Sequence, residues 1–169
     1  MRGRTFPWIA TSLCVLLVAC SSPPDPETAR GDARQDIEQA IVGWIDAFNR
    51  QDLDAVIDGH TTDIVSSFAG EDDLVGREQL RDLYSKMFAR EGGSYSFDAQ
   101  IEEVEAWDDV AYVRVIWMLT WDPDEGDAYV MRQERAMELW KLDTDGSWRL
   151  ARWLGYQLEE LPEMESEES

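Results

Sequence analysis

Four kinds of side chain in this 169-residue sequence stand where they could do chemistry. The single histidine, His60, lies three residues before Asp63, so its imidazole could be held by that carboxylate and act as a pocket base. Alternatively, it closes a helix by bonding a nearby backbone group. Arg114 stands inside the apolar run Val110 to Trp121, where an unpaired charge is costly. It is expected either at the floor of a pocket for a carboxylate ligand or in an ion pair with Glu134 or Glu138 on the neighbouring strand. Glu134 and Glu138 share a strand face with Ala136 and Trp140. They could be an acid–base pair for a buried substrate, or a solvated face. Six tryptophans fall between positions 107 and 153, and Trp117 and Trp153 are among those that could line an apolar cavity or simply fill a core.

Composition narrows the chemistry. Fifteen Lys and Arg against 36 Asp and Glu give a net charge of −21, which repels a phosphate backbone and argues against nucleic-acid binding. One His and two Cys exclude zinc fingers and disulfide scaffolds. The acidic turns Asp122 to Asp127 and Asp143 to Gly146 do not complete a calcium loop, and no phosphate loop or nucleophile elbow is present. No metal or cofactor is expected.

The elements that must position these residues are legible from periodicity. Ile37, Ile41, Trp44 and Phe48 fall on one helical face. Asp52 suits an N-cap for a short helix from Leu53 to Asp58, ended by Gly59. Ile64 to Phe68 reads as a short strand. Arg77 to Arg90 is an amphipathic helix with Leu80, Leu83, Tyr84, Met87 and Phe88 on one side. After Gly93 the period becomes two, and four long strands follow, the last two joined at Asp145-Gly146. Helices followed by a strand meander predict an α+β domain over 36–158, a curved antiparallel sheet with three N-terminal helices on its concave face. The last strand is apolar on both parities (Trp148, Leu150, Leu154 and Tyr156 against Ala151 and Trp153), so the outer sheet face is also expected to be covered, most simply by a second copy in a two-fold dimer.

Both ends differ in composition. Residues 1–19 carry Arg2 and Arg4 and then an apolar stretch too short to span a bilayer, which reads as a signal peptide. The stretch ends Leu17-Val18-Ala19-Cys20, which resembles a bacterial lipobox and implies that Cys20 becomes a lipidated N-terminus held by membrane lipid. Cleavage there removes two positive charges and discards Cys14, leaving no thiol for a disulfide. Ser21 follows Cys20; in the sorting pattern this resembles, that favours the periplasmic face of the outer membrane in an organism that has one. Residues 20–35 read as a flexible tether, and 159–169, with six Glu, as a disordered acidic tail.

Asn49-Arg50-Gln51-Asp52-Leu53-Asp54 and Val75-Gly76-Arg77-Glu78-Gln79-Leu80, in this order of elements, resemble the cone-shaped superfamily named after nuclear transport factor 2, with its SnoaL-like and ketosteroid-isomerase-like members. Val110-Ala111-Tyr112-Val113-Arg114, Glu138-Leu139-Trp140 and Asp145-Gly146-Ser147-Trp148 resemble the association domain of calmodulin-dependent kinases, whose pocket arginines include the one that Arg114 matches. The resemblance covers about 36–157. The isomerase members use a tyrosine on the first helix and an aspartate near the end of the first strand; the matching positions here hold Trp44 and Phe68, neither of which can accept a proton. The expectation is therefore a lipid-anchored cell-envelope domain that binds a small apolar or anionic molecule without catalysis, its candidate contacts being Trp44, His60, Tyr84, Arg114, Trp117, Glu134 and Trp153. A small isomerase or hydrolase using His60, Asp63 or Glu134 with Arg114 is the alternative, and an interaction module with a vestigial pocket is another.

Overall fold

A computed structural model describes residues 26–68 and 70–158. The expected signal peptide, Cys20, the start of the tether and the acidic tail lie outside the described residues. Three helices come first among nine elements: α1 (Pro26–Asn49), α2 (Leu53–Asp58) and, after strands β1 (His60–Phe68) and β2 (Leu74–Val75), α3 (Gly76–Phe88). Four long strands follow: β3 (Gly93–Trp107), β4 (Val110–Pro123), β5 (Tyr129–Leu142) and β6 (Trp148–Gln157). They form one six-stranded sheet in the order β2-β1-β6-β5-β4-β3, in which only β1 and β6 run parallel. This is the expected α+β cone. No helix among the described residues is long and apolar enough to cross a membrane.

Two boundaries differ from the sequence reading. α1 begins at Pro26, so residues 26–35, read as tether, are helical; proline is accommodated in a first turn, where its missing N–H has no intrahelical acceptor. β1 begins at His60 rather than Ile64, because His60 pairs with Leu150 of β6 before a register shift carries the pairing to Val65 and Arg152.

The family-like motifs have structural work. Asn49 closes α1 and also imitates a strand: its Nδ2 donates to Phe97 O at 3.0 Å and its Oδ1 accepts from Phe97 N at 2.8 Å, pinning the helix end to β3. Gln51 takes a left-handed φ of 59°, and Asp52 accepts from Ala55 N to cap α2. Gly76 opens α3 at φ +81°, a backbone region costly for a side chain with Cβ. Next to it, Arg77 Nε donates to His60 O at 2.8 Å, which fixes the start of β1. Arg149 locks the other side: its Nε donates to Asp58 O, and its guanidinium binds Asp143 and Asp145, each at 2.7 Å.

The core lies between α1, α3 and the concave sheet face. Ile37 and Ile41 of α1 share one cluster with Val113, Val115 and Trp117 of β4, while Phe48 at the end of α1 packs in a second with Val56 of α2, Phe88 of α3 and Phe97 of β3. A bulge at Ala151 governs the two-faced last strand. Leu150 pairs with Trp140 but Arg152 pairs with Leu139, so parity flips between them. Trp148, Leu150 and Trp153 therefore all face inward, and only Leu154 and Tyr156 face out. Half of the apolar surplus that suggested a covered outer face is thus explained by the bulge.

Candidate functional site

A cavity of about 240 Å³ opens between the helices and the concave face of the sheet. Strand β5 crosses its floor. Alternation with a period of two turns Arg132, Glu134, Glu138 and Trp140 toward it, and Trp117 comes from the adjacent β4. α1 contributes Ile41 and Trp44, α3 contributes Leu83, Tyr84 and Met87, and β1 contributes His60, Ser66 and Phe68. The deep end is formed by His60, Trp140 and Glu138, all at most 3% exposed. Glu71, Phe68, Arg132 and Trp153, which keep solvent contact, form the mouth.

Glu138 is the chemical centre of the deep end. It is 1% exposed, and each of its oxygens accepts one indole N–H: Trp117 Nε1 at 2.7 Å and Trp140 Nε1 at 2.8 Å. Among the described residues no Lys or Arg pairs with it. Burial therefore pushes its pKa up to about 7, and only the two indole donors hold it down. Tyr84, half-buried in the cavity wall, is driven well above its ordinary value by desolvation of its hydroxyl and by the nearby Glu138. His60 is pulled down to about 4, mainly by burial, and is neutral at pH 7. Its Nδ1–H donates to Val56 O at 2.9 Å, which leaves Nε2 as an acceptor.

The rim is partly compensated. Glu134 is 8% exposed, and burial raises its pKa against the pull of Arg132, whose Nη2 lies 2.5 Å from Glu134 Oε1. The Arg132 guanidinium also lies 5.3 Å from the Phe68 ring centre, and Phe68 packs on Trp153 at 4.6 Å. Trp44 lies at the centre of a ring cluster, with Phe97 and Trp117 each at 5.4 Å and Tyr84 at 5.9 Å. Its Nε1 is buried without a hydrogen-bond partner among the described residues.

Of the candidates named from sequence, Trp44, His60, Tyr84, Trp117, Glu134 and Trp153 are brought to this one cavity, and Arg114 is not. Arg114 points from the opposite face of β4, its side chain 45% exposed, and pairs with Glu102 at 3.0 Å and Glu103 at 3.7 Å on β3. Both sequence readings of it fail for one reason. Val113, Val115 and Trp117 face inward, so Arg114 has the wrong parity to meet the inward-facing Glu134 and Glu138. The apolar run hid that parity because Tyr112, Ile116 and Met118 also face out. Asp63 does not orient His60 either; it is exposed and pairs with Arg152 at 3.3 Å. Trp44 and Phe68 do line the cavity, but they do not make it free of proton-active groups, since Glu138 and Tyr84 lie beside them. The sequence reading gives Glu138 only as an acid–base partner of Glu134 or an ion-pair partner of Arg114, and it gives no pocket role to Arg132 or Phe97 and none of its own to Trp140. Extending the period of two from Glu134 and Glu138 in both directions would have found Arg132 and Trp140.

The fold and the placement of this cavity define a cone-shaped α+β protein with an enclosed aromatic pocket. A family model described as a SnoaL-like domain matches residues 41–151, and the chain belongs to that family. Among solved structures, a ketosteroid isomerase-like protein from Erwinia carotovora atroseptica is 28% identical, with 75% of this chain and 96% of that chain covered at a TM-score of 0.60. A conserved protein from Planctomyces limnophilus is 20% identical, covering 76% and 98% at a TM-score of 0.66. A nuclear transport factor 2-like protein with a cystatin-like fold from Novosphingobium aromaticivorans is 16% identical, covering 78% and 85% at a TM-score of 0.65. None of the curated proteins matches the sequence.

Proposed function

We propose that this is a small-molecule-binding domain held at a cell-envelope membrane through lipidated Cys20, taking its ligand into the cone cavity. The observation that carries the binding reading is the cavity itself: about 240 Å³, open at one end and walled by rings. Its tryptophans do not fill it, which disfavours the vestigial-pocket alternative. The anchor rests on the Leu17-Val18-Ala19-Cys20 motif, with α1 beginning only six residues after Cys20.

A second reading, a small isomerase, is favoured by Glu138. A carboxyl titrating near 7 inside an apolar pocket can take and return a proton at neutral pH. The ketosteroid isomerase-like neighbour belongs with this reading. The lost positions, Trp44 and Phe68, weigh against the chemistry of the isomerase members but not against a different base.

Both are tested by extracting the full-length protein from its own membrane in dodecyl maltoside and weighing it by native mass spectrometry. The expected mass lacks residues 1–19, carries a diacylglycerol group and holds a further molecule of a few hundred daltons. Ser66→Phe, which places a ring in the cavity, should remove that molecule. Nothing retained by either form overturns the binding reading, and an unprocessed, unmodified N-terminus overturns the anchor. If the released molecule takes up deuterium when returned to the protein in D₂O, and Glu138→Gln abolishes the uptake, the isomerase reading replaces simple binding.

A further inference from the structure

The cavity combines two features that together select a ligand charge. Its deep end holds a carboxylate with no cation beside it among the described residues, and its apolar walls carry aromatic rings and aliphatic side chains in about equal number. A buried carboxylate either keeps a proton or meets a positive charge, because an isolated ion in an apolar site is strongly disfavoured. Of the cations near the cavity, Arg132 is paired with Glu134 through Nη2 and lies over Phe68, with its Nε left buried and without a partner among the described residues, and Arg114 is on the outer face with Glu102. His60 is neutral. Around Glu138 stand the rings of Trp44, Tyr84, Trp117 and Trp140. Ring faces carry negative potential and attract alkylammonium groups, most strongly when water is excluded. An anionic ligand, as expected from sequence, would meet Glu138 at the deep end and Glu134 and Glu71 toward the mouth, three carboxyl groups against one arginine that already pairs with Glu134.

We propose that the cavity is a site for a small organic cation, an alkylated ammonium group seated among the tryptophans with Glu138 as its counter-ion. The inference rests on the reading of the cavity as a ligand site and adds the sign of the ligand's charge. The volume suits a molecule of choline size with room to spare. The net charge of −21 raises the local concentration of cations and lowers that of anions around the mouth. Proton and cation compete for Glu138, so ligand binding is coupled to its deprotonation. The other titratable or charged groups facing the cavity are His60 from β1, Tyr84 from α3, Arg132 and Glu134 from β5, and Glu71 at the mouth. His60 and Tyr84 stay neutral between pH 6 and 8, and Glu134, also raised, acts in the same direction as Glu138.

The test uses three probes of nearly equal shape, titrated calorimetrically into the full-length protein in dodecyl maltoside: choline, its neutral carbon isostere 3,3-dimethyl-1-butanol, and the anion 3,3-dimethylbutyrate. At pH 8 choline should bind at least tenfold more tightly than the alcohol, and the butyrate most weakly. Lowering the pH from 8 to 6 should weaken choline about tenfold and leave the alcohol unchanged. Glu138→Gln should abolish the preference. The pH series on the wild-type protein carries the same information should that variant misfold. Glycerophosphocholine separates two sources of the same chemistry: affinity equal to choline's assigns the site to a lipid headgroup, and weaker affinity assigns it to a free ammonium compound. Equal binding of all three probes, or a preference that survives in Glu138→Gln, overturns the charge assignment while leaving the cavity a ligand site. If none of the three binds but the protein still carries a molecule from its membrane, the cation inference alone falls. If nothing is retained either, both readings fall.

Discussion

Glu138 shows how environment rather than identity decides what a side chain can do. The same residue type on β3, Glu102, lies on the outer face between Arg114 and Arg135 and serves as a surface ion-pair acceptor. Inside, a carboxylate that titrates near 7 instead of 4.5 is a burden on the folded state. The folded protein holds this proton more tightly than the unfolded chain does. This group's contribution to stability therefore falls as pH rises from about 4.5 to about 7, and the loss is on the order of 3 kcal/mol once both states are ionised. His60 acts oppositely. Its folded-state pKa of about 4 lies below its ordinary 6.5, so its contribution falls as pH drops through that interval. The two slopes largely cancel between pH 5 and 6.5. Glu138→Gln removes only one of them. In urea titrations the stability of the variant relative to wild type should therefore rise by a few kcal/mol between pH 5 and pH 8. An unchanged difference would mean that Glu138 is not desolvated.

At the scale of elements, the strands aim these groups, and two glycines mark where the aim is tightest. A Cβ on Gly155 would sit 2.0 Å from the Trp153 ring, which lies along β6 at the cavity mouth. A Cβ on Gly93 would meet Asp122 O at 2.4 Å and Pro123 Cα at 2.7 Å, both backbone atoms of the paired strand. A side chain can swing aside and a ladder cannot. Gly93→Ala is thus expected to cost about 2–4 kcal/mol. Gly155→Ala should cost about 1 kcal/mol while displacing Trp153 and loosening the retained ligand, as thermal melts beside native mass spectra would show. Much of this level was legible in the sequence. The four-three-four spacing of Ile37, Ile41, Trp44 and Phe48 and the strict alternation from Glu134 to Trp140 carry their geometry openly. What stayed hidden was parity across irregularities. The Ala151 bulge turns Trp153 inward, and the β4 run around Arg114 is apolar on both faces, so no pattern in it tells inside from outside. The early start of α1 was hidden too, because Asp, Arg and Gln residues along an exposed helix lack the periodic apolar signal that announces a buried one.

The whole molecule has an outer face to account for. Met137, Leu154 and Tyr156 are 49%, 56% and 46% exposed there, Met137 pairs across the sheet with Leu154, and charged Glu102, Arg114 and Arg135 flank them. A face with an apolar centre and charges of both signs can complement itself about a two-fold axis, since each acid can meet the other copy's arginine. A dimer is accordingly proposed here, on a narrower base than the sequence suggested now that Trp148 and Leu150 are known to face the core. Net charge opposes it: two chains at −21 repel over distances longer than the roughly 8 Å screening length of physiological salt. Apolar burial hardly weakens with salt, whereas this repulsion does. The dimer should therefore tighten as salt is raised from 0.05 to 0.5 M, the reverse of an association held by charge pairing. Sedimentation equilibrium in density-matched detergent measures this directly. Leu154→Asp, which adds a charge to each copy at the centre of the face, should leave a monomer at every salt concentration. A wild-type monomer throughout would assign Met137, Leu154 and Tyr156 to the ordinary scatter of exposed apolar residues. A dimer that loosens with salt would move the contact to the charged flanks around Glu102 and Arg135.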